Sequence, residues 1–99
     1  MRLVFLASAV PDLRWFKAYY VGVFPEGRTR ADRQFLAVQT LLKANPHIGH
    51  PSDKVDGARE HHVLKTPFTV LYRVRQDRIE VMRVLDTRAD WSACEFDCR

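Results

Sequence analysis

The fold is decided by residues 67–86, which read PFTVLYRVRQDRIEVMRVLD. Apolar and polar side chains alternate along both halves of this stretch, which is the period-two pattern of half-buried β-strands. The pattern predicts strands at 67–75 and 78–86, and the two residues between them leave room for a tight hairpin turn. A further strand at 59–65 extends the hairpin into a three-stranded antiparallel meander.

The segment before the meander predicts one strand and two helices. Residues 2–7 are apolar and β-prone, with a face formed by Leu3 and Phe5. Ser8 is suited to cap a first helix at 9–23. Helical spacing of apolar residues predicts a second helix at 28–44, and a loop rich in proline and glycine follows at 45–58. The buried stripe of the second helix is predicted to consist of Ala31, Phe35, Val38 and Leu42.

The predicted fold class is therefore a small α+β domain with the order β-α-α-β-β-β. The chain has 99 residues, 46% hydrophobic and 28% charged, which is the composition of a single globular domain. We place the domain at residues 1–91 and a C-terminal tail at 92–99. The apolar start is too short for a signal peptide, and the only cysteines are Cys94 and Cys98. These features predict a cytoplasmic protein with reduced thiols.

Arginine dominates the charge of the chain. There are 16 Lys+Arg against 12 Asp+Glu, a formal net charge of +4, and arginine outnumbers lysine twelve to four. The planar guanidinium pairs bidentately with phosphate or carboxylate, whereas lysine acts as a point charge. Charge alone leaves two interpretations open, a solvated basic surface or a surface for an anionic partner.

Strand pairing in the meander gives Arg83 an unusual predicted position. A turn at 76–77 predicts three facing pairs: Arg73 with Glu80, Tyr72 with Val81, and Val70 with Arg83. Arg83 would then share a face with apolar side chains, where an unpaired charge is costly. Two interpretations stay open: an ion pair with Asp86, Asp90 or a helix carboxylate, or a contact with a ligand.

The other face of the meander is predicted to expose an apolar strip. Leu71, Met82 and Val84 would lie there between Arg73 and Arg75. Two helices can cover only one face of the sheet, so this face is predicted to lack an intramolecular cover. An apolar strip with an arginine rim is suited to an acidic, amphipathic partner segment.

Other side-chain groups do not indicate a metal or cofactor site. Adjacent histidines on a strand point to opposite faces, and the cysteine spacing is not that of a zinc ribbon. The residues considered are His47, His50, His61, His62, Cys94 and Cys98. The first helix is rich in aromatic residues, which predict core packing rather than a platform for stacking bases. These are Trp15, Phe16, Tyr19, Tyr20 and Phe24.

The order and spacing of several pieces resemble the RelE/ParE superfamily of type II toxin–antitoxin toxins. The pieces are Asn45, Pro46 and Gly49 after helix two, then Arg59, then PFTVLYRV at 67–74 and IEVMRVLDTRADW at 79–91. The resemblance implies a bacterial growth-inhibiting toxin, neutralised by an antitoxin whose C-terminal segment wraps it. It also implies that operator DNA is contacted only through the antitoxin.

Two activities divide the superfamily that the chain resembles. RelE-like members cleave mRNA on the ribosome, and the resemblance would assign Arg59, Arg83 and Arg88 to the scissile phosphate. However, Asp86 stands where members commonly carry histidine, and an anion beside a phosphate is repulsive. The ending Arg88 to Trp91 is similar to ParE-like sequences, which inhibit DNA gyrase. We therefore expect a gyrase inhibitor that is not an enzyme, with ribosome-dependent cleavage as the alternative.

The residues expected to bind the antitoxin or the target are Arg59, Leu71, Arg73, Arg75, Met82, Arg83, Arg88 and Trp91. No cofactor is expected. A third hypothesis is a plain nucleic-acid-binding module without toxicity, which harmless overexpression without an antitoxin would favour.

Overall fold

Two helices pack on one face of a five-stranded sheet in the computed structural model, which describes residues 1–87. In chain order the elements are β1 (Arg2–Phe5), α1 (Val10–Ala18), α2 (Arg28–Ala44), β2 (His50–Pro51), β3 (Arg59–His62), β4 (Phe68–Val74) and β5 (Arg78–Asp86). The sheet order is β1-β5-β4-β3-β2; β1 runs parallel to β5, and the other neighbours are antiparallel. The α+β class and the meander are confirmed.

The sheet has one strand more than predicted. Within the segment expected to be a loop, β2 forms a two-residue ladder in which His50 faces Glu60 and Pro51 faces Arg59. Proline lacks a backbone donor and is tolerated at a sheet edge, which is where β2 lies. So short a strand leaves no periodic pattern from which it could be predicted.

The first helix is less regular than its sequence pattern predicts. Ser8 lies in a 3₁₀ turn (Ala7–Ala9) and does not cap α1; its hydroxyl instead donates to the carbonyl of Met82 at 2.6 Å. After α1 the chain widens into a π-helical turn at Tyr19–Val23, where the Phe24 amide donates to the Tyr19 carbonyl. Glycine and β-branched valines in this turn have low helix propensity, which favours the departure.

The second helix begins and ends as predicted. It covers Arg28–Ala44 and buries Ala31, Val38 and Leu42, while Phe35 is partly buried against the same core. Pro46 follows shortly after the last helical residue, and a proline disfavours the helical conformation of the residue before it.

The core lies between the helices and the sheet, and aromatic rings fill much of it. The Phe16 ring lies 4.8 Å from that of Phe68 and 5.0 Å from that of Phe35. Tyr19 and Tyr20 are buried beside them. Core packing of the aromatic helix is thus confirmed for these residues, whereas Trp15 is 43% exposed.

A β-bulge in β5 overturns part of the predicted strand pairing. Tyr72 faces Val81 and Arg73 faces Glu80, as predicted. Met82 is then an extra residue, so Val70 faces Val84 instead of Arg83, and Arg83 faces Leu71. Because side chains alternate along a strand, one inserted residue exchanges the two faces beyond it. Val84 therefore belongs to the core and is 1% exposed.

Candidate functional site

The sheet face opposite the helices, here called the outer face, is where the predicted apolar strip was expected. Its leucines are covered by the chain itself. Leu71 and Leu85 are each 4% exposed and pack with Ala58, with Val55 and Met82 partly buried against them. The prediction of an open strip at Leu71, Met82 and Val84 is therefore wrong, because Val84 turns inward and the loop before β3 covers Leu71.

That covering loop is held in place by a buried carboxylate. Glu60, on β3, is 7% exposed and accepts hydrogen bonds from the Ser52 hydroxyl at 2.7 Å and from the Lys54 ammonium at 3.2 Å. The Ser52 amide also donates to the Ala58 carbonyl at 2.9 Å. A buried carboxylate is tolerated only when it is paired in this way.

Three arginines converge on one carboxylate at the β4–β5 hairpin. We name this group, Arg73, Arg75, Arg78 and Glu80, the hairpin arginine cluster. Arg73 Nε donates to Glu80 Oε1 at 2.6 Å and Arg75 Nε to the same oxygen at 3.3 Å. Arg78 donates to the other oxygen through Nε and Nη2, at 2.9 and 2.8 Å. The hydrogen bond from Arg73 lowers the pKa of Glu80 to about 2, and those from Arg78 and Arg75 add to it against the opposing effect of burial.

Arg83 is paired with the first helix. Its Nε and Nη2 donate to the Asp12 carboxylate at 2.6 and 3.0 Å, a bidentate charge-assisted pair. The same carboxylate accepts the Val84 amide at 3.0 Å. Of the two interpretations left open for Arg83, the ion pair with a helix carboxylate is the one found. The hydrogen bond with Asp12 raises the pKa of Arg83, although burial opposes it.

Arg59 lies on β3 and fixes the chain segment that follows α2. One terminal nitrogen donates to the carbonyls of His47 and Gly49, at 3.1 and 2.6 Å. Facing it on β4, the Tyr72 hydroxyl donates to the Pro46 carbonyl at 2.8 Å and accepts the Gly49 amide at 3.0 Å. Burial raises the pKa of Tyr72, although the hydrogen bond from the Gly49 amide and the charge of Arg59 oppose it.

Of the three arginines that the nuclease alternative requires, the structure describes Arg59 and Arg83, and each is engaged by another partner. Arg59 is on β3 and donates to backbone carbonyls, whereas Arg83 is on β5 and is paired with Asp12. Asp86 ends β5 and accepts the Trp15 indole N–H at 2.9 Å. Arg88, Trp91, Cys94 and Cys98 lie outside the described residues, as does the predicted domain boundary at residue 91.

The histidines lie in the turn after α2 (His47), on β2 (His50) and on β3 (His61 and His62). His50 Nε2 lies 3.7 Å from the Glu60 carboxylate, and burial, with smaller effects of His62 and His50, lowers the pKa of His61. Within residues 1–87 there is no group of three or more histidine, cysteine or acidic side chains placed to hold a metal ion. None of the helices in this range is long and apolar enough to cross a membrane.

Several of these partners could not be found from the sequence. No periodic pattern in the sequence links Asp12 to Arg83, 71 positions later. The sequence likewise gave no indication of the contact partners of Glu60 and Tyr72. The one available hint was Gly49: a Cβ there would lie 2.6 Å from the Tyr72 hydroxyl and 2.7 Å from the Glu60 carbonyl, so the close approach requires glycine.

Two helices on one face of a mixed sheet, with arginines on and around the other face, define a small basic α+β domain. The family model described as "ParE toxin of type II toxin-antitoxin system, parDE" matches residues 3–91, and the chain therefore belongs to the ParE toxin family. It is the toxin of a type II toxin–antitoxin system, and a cognate antitoxin is its partner. The resemblance seen in the sequence is confirmed.

A solved structure supports the same assignment. The chain is similar to a structure described as "Chromosomal ParDE TA system from P. aeruginosa", with 29% sequence identity and a TM-score of 0.67. The similarity covers 85% of this chain and 92% of that chain. No curated protein matches the chain.

Proposed function

We propose that this toxin acts by binding DNA gyrase and trapping the enzyme with its DNA cleaved, without cutting nucleic acid itself. The observation that carries the proposal is the pair of Arg83 with Asp12. A nuclease of this architecture would need the Arg83 guanidinium for the scissile phosphate. Here Nε and Nη2 are both held by a carboxylate at hydrogen-bonding distance.

The cost of releasing Arg83 supports a binding role over catalysis. A phosphate that recruited Arg83 would have to replace two charge-assisted hydrogen bonds and would then lie close to the Asp12 carboxylate. Asp86 adds a second carboxylate at the end of the same strand, where RelE-like nucleases were expected to carry histidine. Two anions beside the candidate site disfavour phosphate binding there.

The direct test is a supercoiling assay with purified gyrase, relaxed plasmid and purified toxin. We expect supercoiling to stop and linear, protein-linked DNA to accumulate after denaturation. A sample mixed beforehand with the antitoxin is the control and should supercoil normally. A coupled translation reaction with the same toxin preparation distinguishes the alternative, since arrested translation with unaffected gyrase would refute the proposal.

We further propose that the antitoxin's C-terminal segment packs on the solvent-facing side of α2. With the outer-face leucines covered, this side of α2 is an apolar groove lined by Arg33, Leu36, Ala37, Thr40, Leu41 and Ala44. Leu36 is 63% exposed, an unusual state for so large an apolar side chain next to other apolar groups. The arginine at one end of the groove is suited to a carboxylate of an acidic amphipathic helix.

A matched pair of leucine variants tests whether the α2 groove binds the antitoxin. Leu36→Glu is expected to weaken antitoxin binding at least about tenfold, because it places a charge in an apolar interface. Leu64→Glu is the control, since Leu64 is equally exposed, at 61%, but lies in the turn between β3 and β4. If calorimetry gives equal affinities of the two variants for the antitoxin, α2 is not part of the interface.

A further inference from the structure

We infer that the hairpin arginine cluster binds phosphodiester groups of duplex DNA. The cluster lies at the β4–β5 hairpin, on the outer face, and it is separate from the α2 groove. The inference needs neither gyrase nor the antitoxin, because it concerns contacts made by the toxin alone.

The first argument is the orientation of two guanidinium groups. Arg73 and Arg75 both reach Glu80 through Nε, and no contact of their terminal nitrogens is found among the described residues. Their side chains are 36% and 50% exposed. A guanidinium fixed at Nε still presents its two terminal nitrogens as a fork, which matches two oxygens of a phosphate.

The second argument is a surplus of positive charge at this corner. Arg2 on β1 faces Arg78 in the sheet and lies 3.8 Å from Asp77. Asp77 also accepts Arg78 Nη1 at 3.0 Å. Four arginines therefore share two carboxylates, which leaves two net positive charges in a chain whose formal total is +4. Guanidinium groups held this close repel each other, and a bound anion relieves the repulsion.

The third argument is preorganisation. Arg73 and Arg75 contact the same oxygen of Glu80, whose side chain is only 6% exposed. The buried carboxylate thus fixes the distance between the two forks before any ligand arrives. Binding then costs less side-chain entropy than it would for free surface arginines.

The polarity of the surroundings favours a phosphate backbone over an acidic peptide. The leucines of the outer face, Leu71 and Leu85, are buried under the loop and offer no apolar seat for a peptide. Among the large exposed hydrophobic residues of the described chain, only Met1 directly neighbours a residue of this corner in sequence. A ligand that binds by charge and oxygen acceptors alone is the better match.

The test measures binding of a fluorescent, random-sequence DNA duplex to the free toxin over a series of salt concentrations. The variant Arg73→Gln/Arg75→Gln removes both forks. The control Arg14→Gln/Arg30→Gln removes the same charge from exposed positions on the two helices. Each phosphate contact contributes about 0.9 to the slope of log K against log[salt], so we expect the cluster variant to lower the slope by about 1.8. The control is expected to lower it by less than half as much.

Three outcomes would overturn the inference. Equal loss in the two double variants would mean diffuse attraction by net charge. Unchanged DNA binding in the cluster variant would place the contact elsewhere. Binding of poly-glutamate, but not of DNA, through Arg73 and Arg75 would identify an acidic polypeptide as the ligand. If circular dichroism shows that the double variant is unfolded, the single variant Arg75→Gln serves instead, with an expected slope change of about 0.9.

Discussion

Arg83 and Asp12 lie 71 positions apart in the chain and are joined by two hydrogen bonds, at 2.6 and 3.0 Å, between strand β5 and the first turn of α1. The same carboxylate accepts the Val84 amide, and the Ser8 hydroxyl donates to the Met82 carbonyl. β1 ends at Phe5, opposite Val81, and no other strand among residues 1–87 pairs with the rest of β5 on that side. Side chains before and within α1 therefore satisfy backbone groups that a neighbouring strand would otherwise use.

Replacing Asp12 should test how much this connection stabilises the fold. Asp12→Ala leaves the Val84 amide and the partly exposed Arg83 guanidinium without their acceptor. We expect a loss of about 1–3 kcal/mol in the free energy of unfolding, measured by urea denaturation. Asp32→Ala is the control, because the contact of Asp32 with Arg28 is exposed and 4.0 Å long. Equal losses for the two variants would contradict the prediction.

Gly49→Ala should destabilise the segment that follows α2. The new Cβ would collide with the Tyr72 hydroxyl and with a backbone carbonyl that cannot move freely. We expect a loss of about 1–3 kcal/mol, as for overpacked sites elsewhere. Gly22→Ala is the matched change, since a Cβ at Gly22 meets nothing within 4 Å, and it is expected to be neutral or stabilising. Thermal melts of the two variants provide the comparison.

The β-bulge can be tested by truncating residues on its two sides. Val84 is 1% exposed and belongs to the core, so Val84→Ala should cost about 2 kcal/mol in stability. Met82 is only partly buried, and Met82→Ala should cost less. Without a bulge, Val84 would lie on the outer face and its truncation would have the smaller effect. Denaturant midpoints for the two variants distinguish these registers.

The stability contributed by the hairpin arginine cluster should depend on pH in the acid range. The folded-state pKa of Glu80 lies near 2, below its ordinary value of 4.5, so the ionised carboxylate stabilises the fold. That stabilisation is complete above about pH 4.5 and is lost as the pH falls towards 2. Glu80→Gln lacks it throughout. The difference in melting temperature between wild type and variant should therefore shrink between pH 4.5 and 2, and a constant difference would be inconsistent with the assignment.

The sequence predicted elements whose signals are local and periodic. The alternation in 67–86 and the apolar stripe of α2 gave correct strands and a correct helix. Burial of one face makes apolar residues recur with the period of the strand or helix, and a few exceptions do not remove that pattern. The pair of Arg73 with Glu80 followed from the hairpin turn by simple counting. β2 and the π-helical turn at Tyr19–Val23 were missed, since two or five residues are too few to show a period.

The candidate site was predicted less well, because its geometry depends on contacts between distant residues. The inserted residue in β5 moved Val84 inward, and no local pattern marks a bulge of this kind. The cover over Leu71 comes from the loop before β3, whose position depends on Glu60 accepting Ser52 and Lys54. Arg83 was correctly recognised as needing an anion or a ligand, yet its choice of Asp12 over Asp86 is visible only in three dimensions.

The bulge at Met82 also bears on how such sequences are aligned with one another. A relative without the bulge has one residue fewer in this strand, and the alignment gap belongs at Met82. A gap elsewhere in β5 would match inward positions of one chain with outward positions of the other. Deleting Met82 from this chain would remove the bulge and keep Arg83 opposite Leu71 and Val84 opposite Val70. A one-residue deletion at this position should consequently leave the inward and outward residues beyond it unchanged, so that the fold tolerates the loss of the methionine.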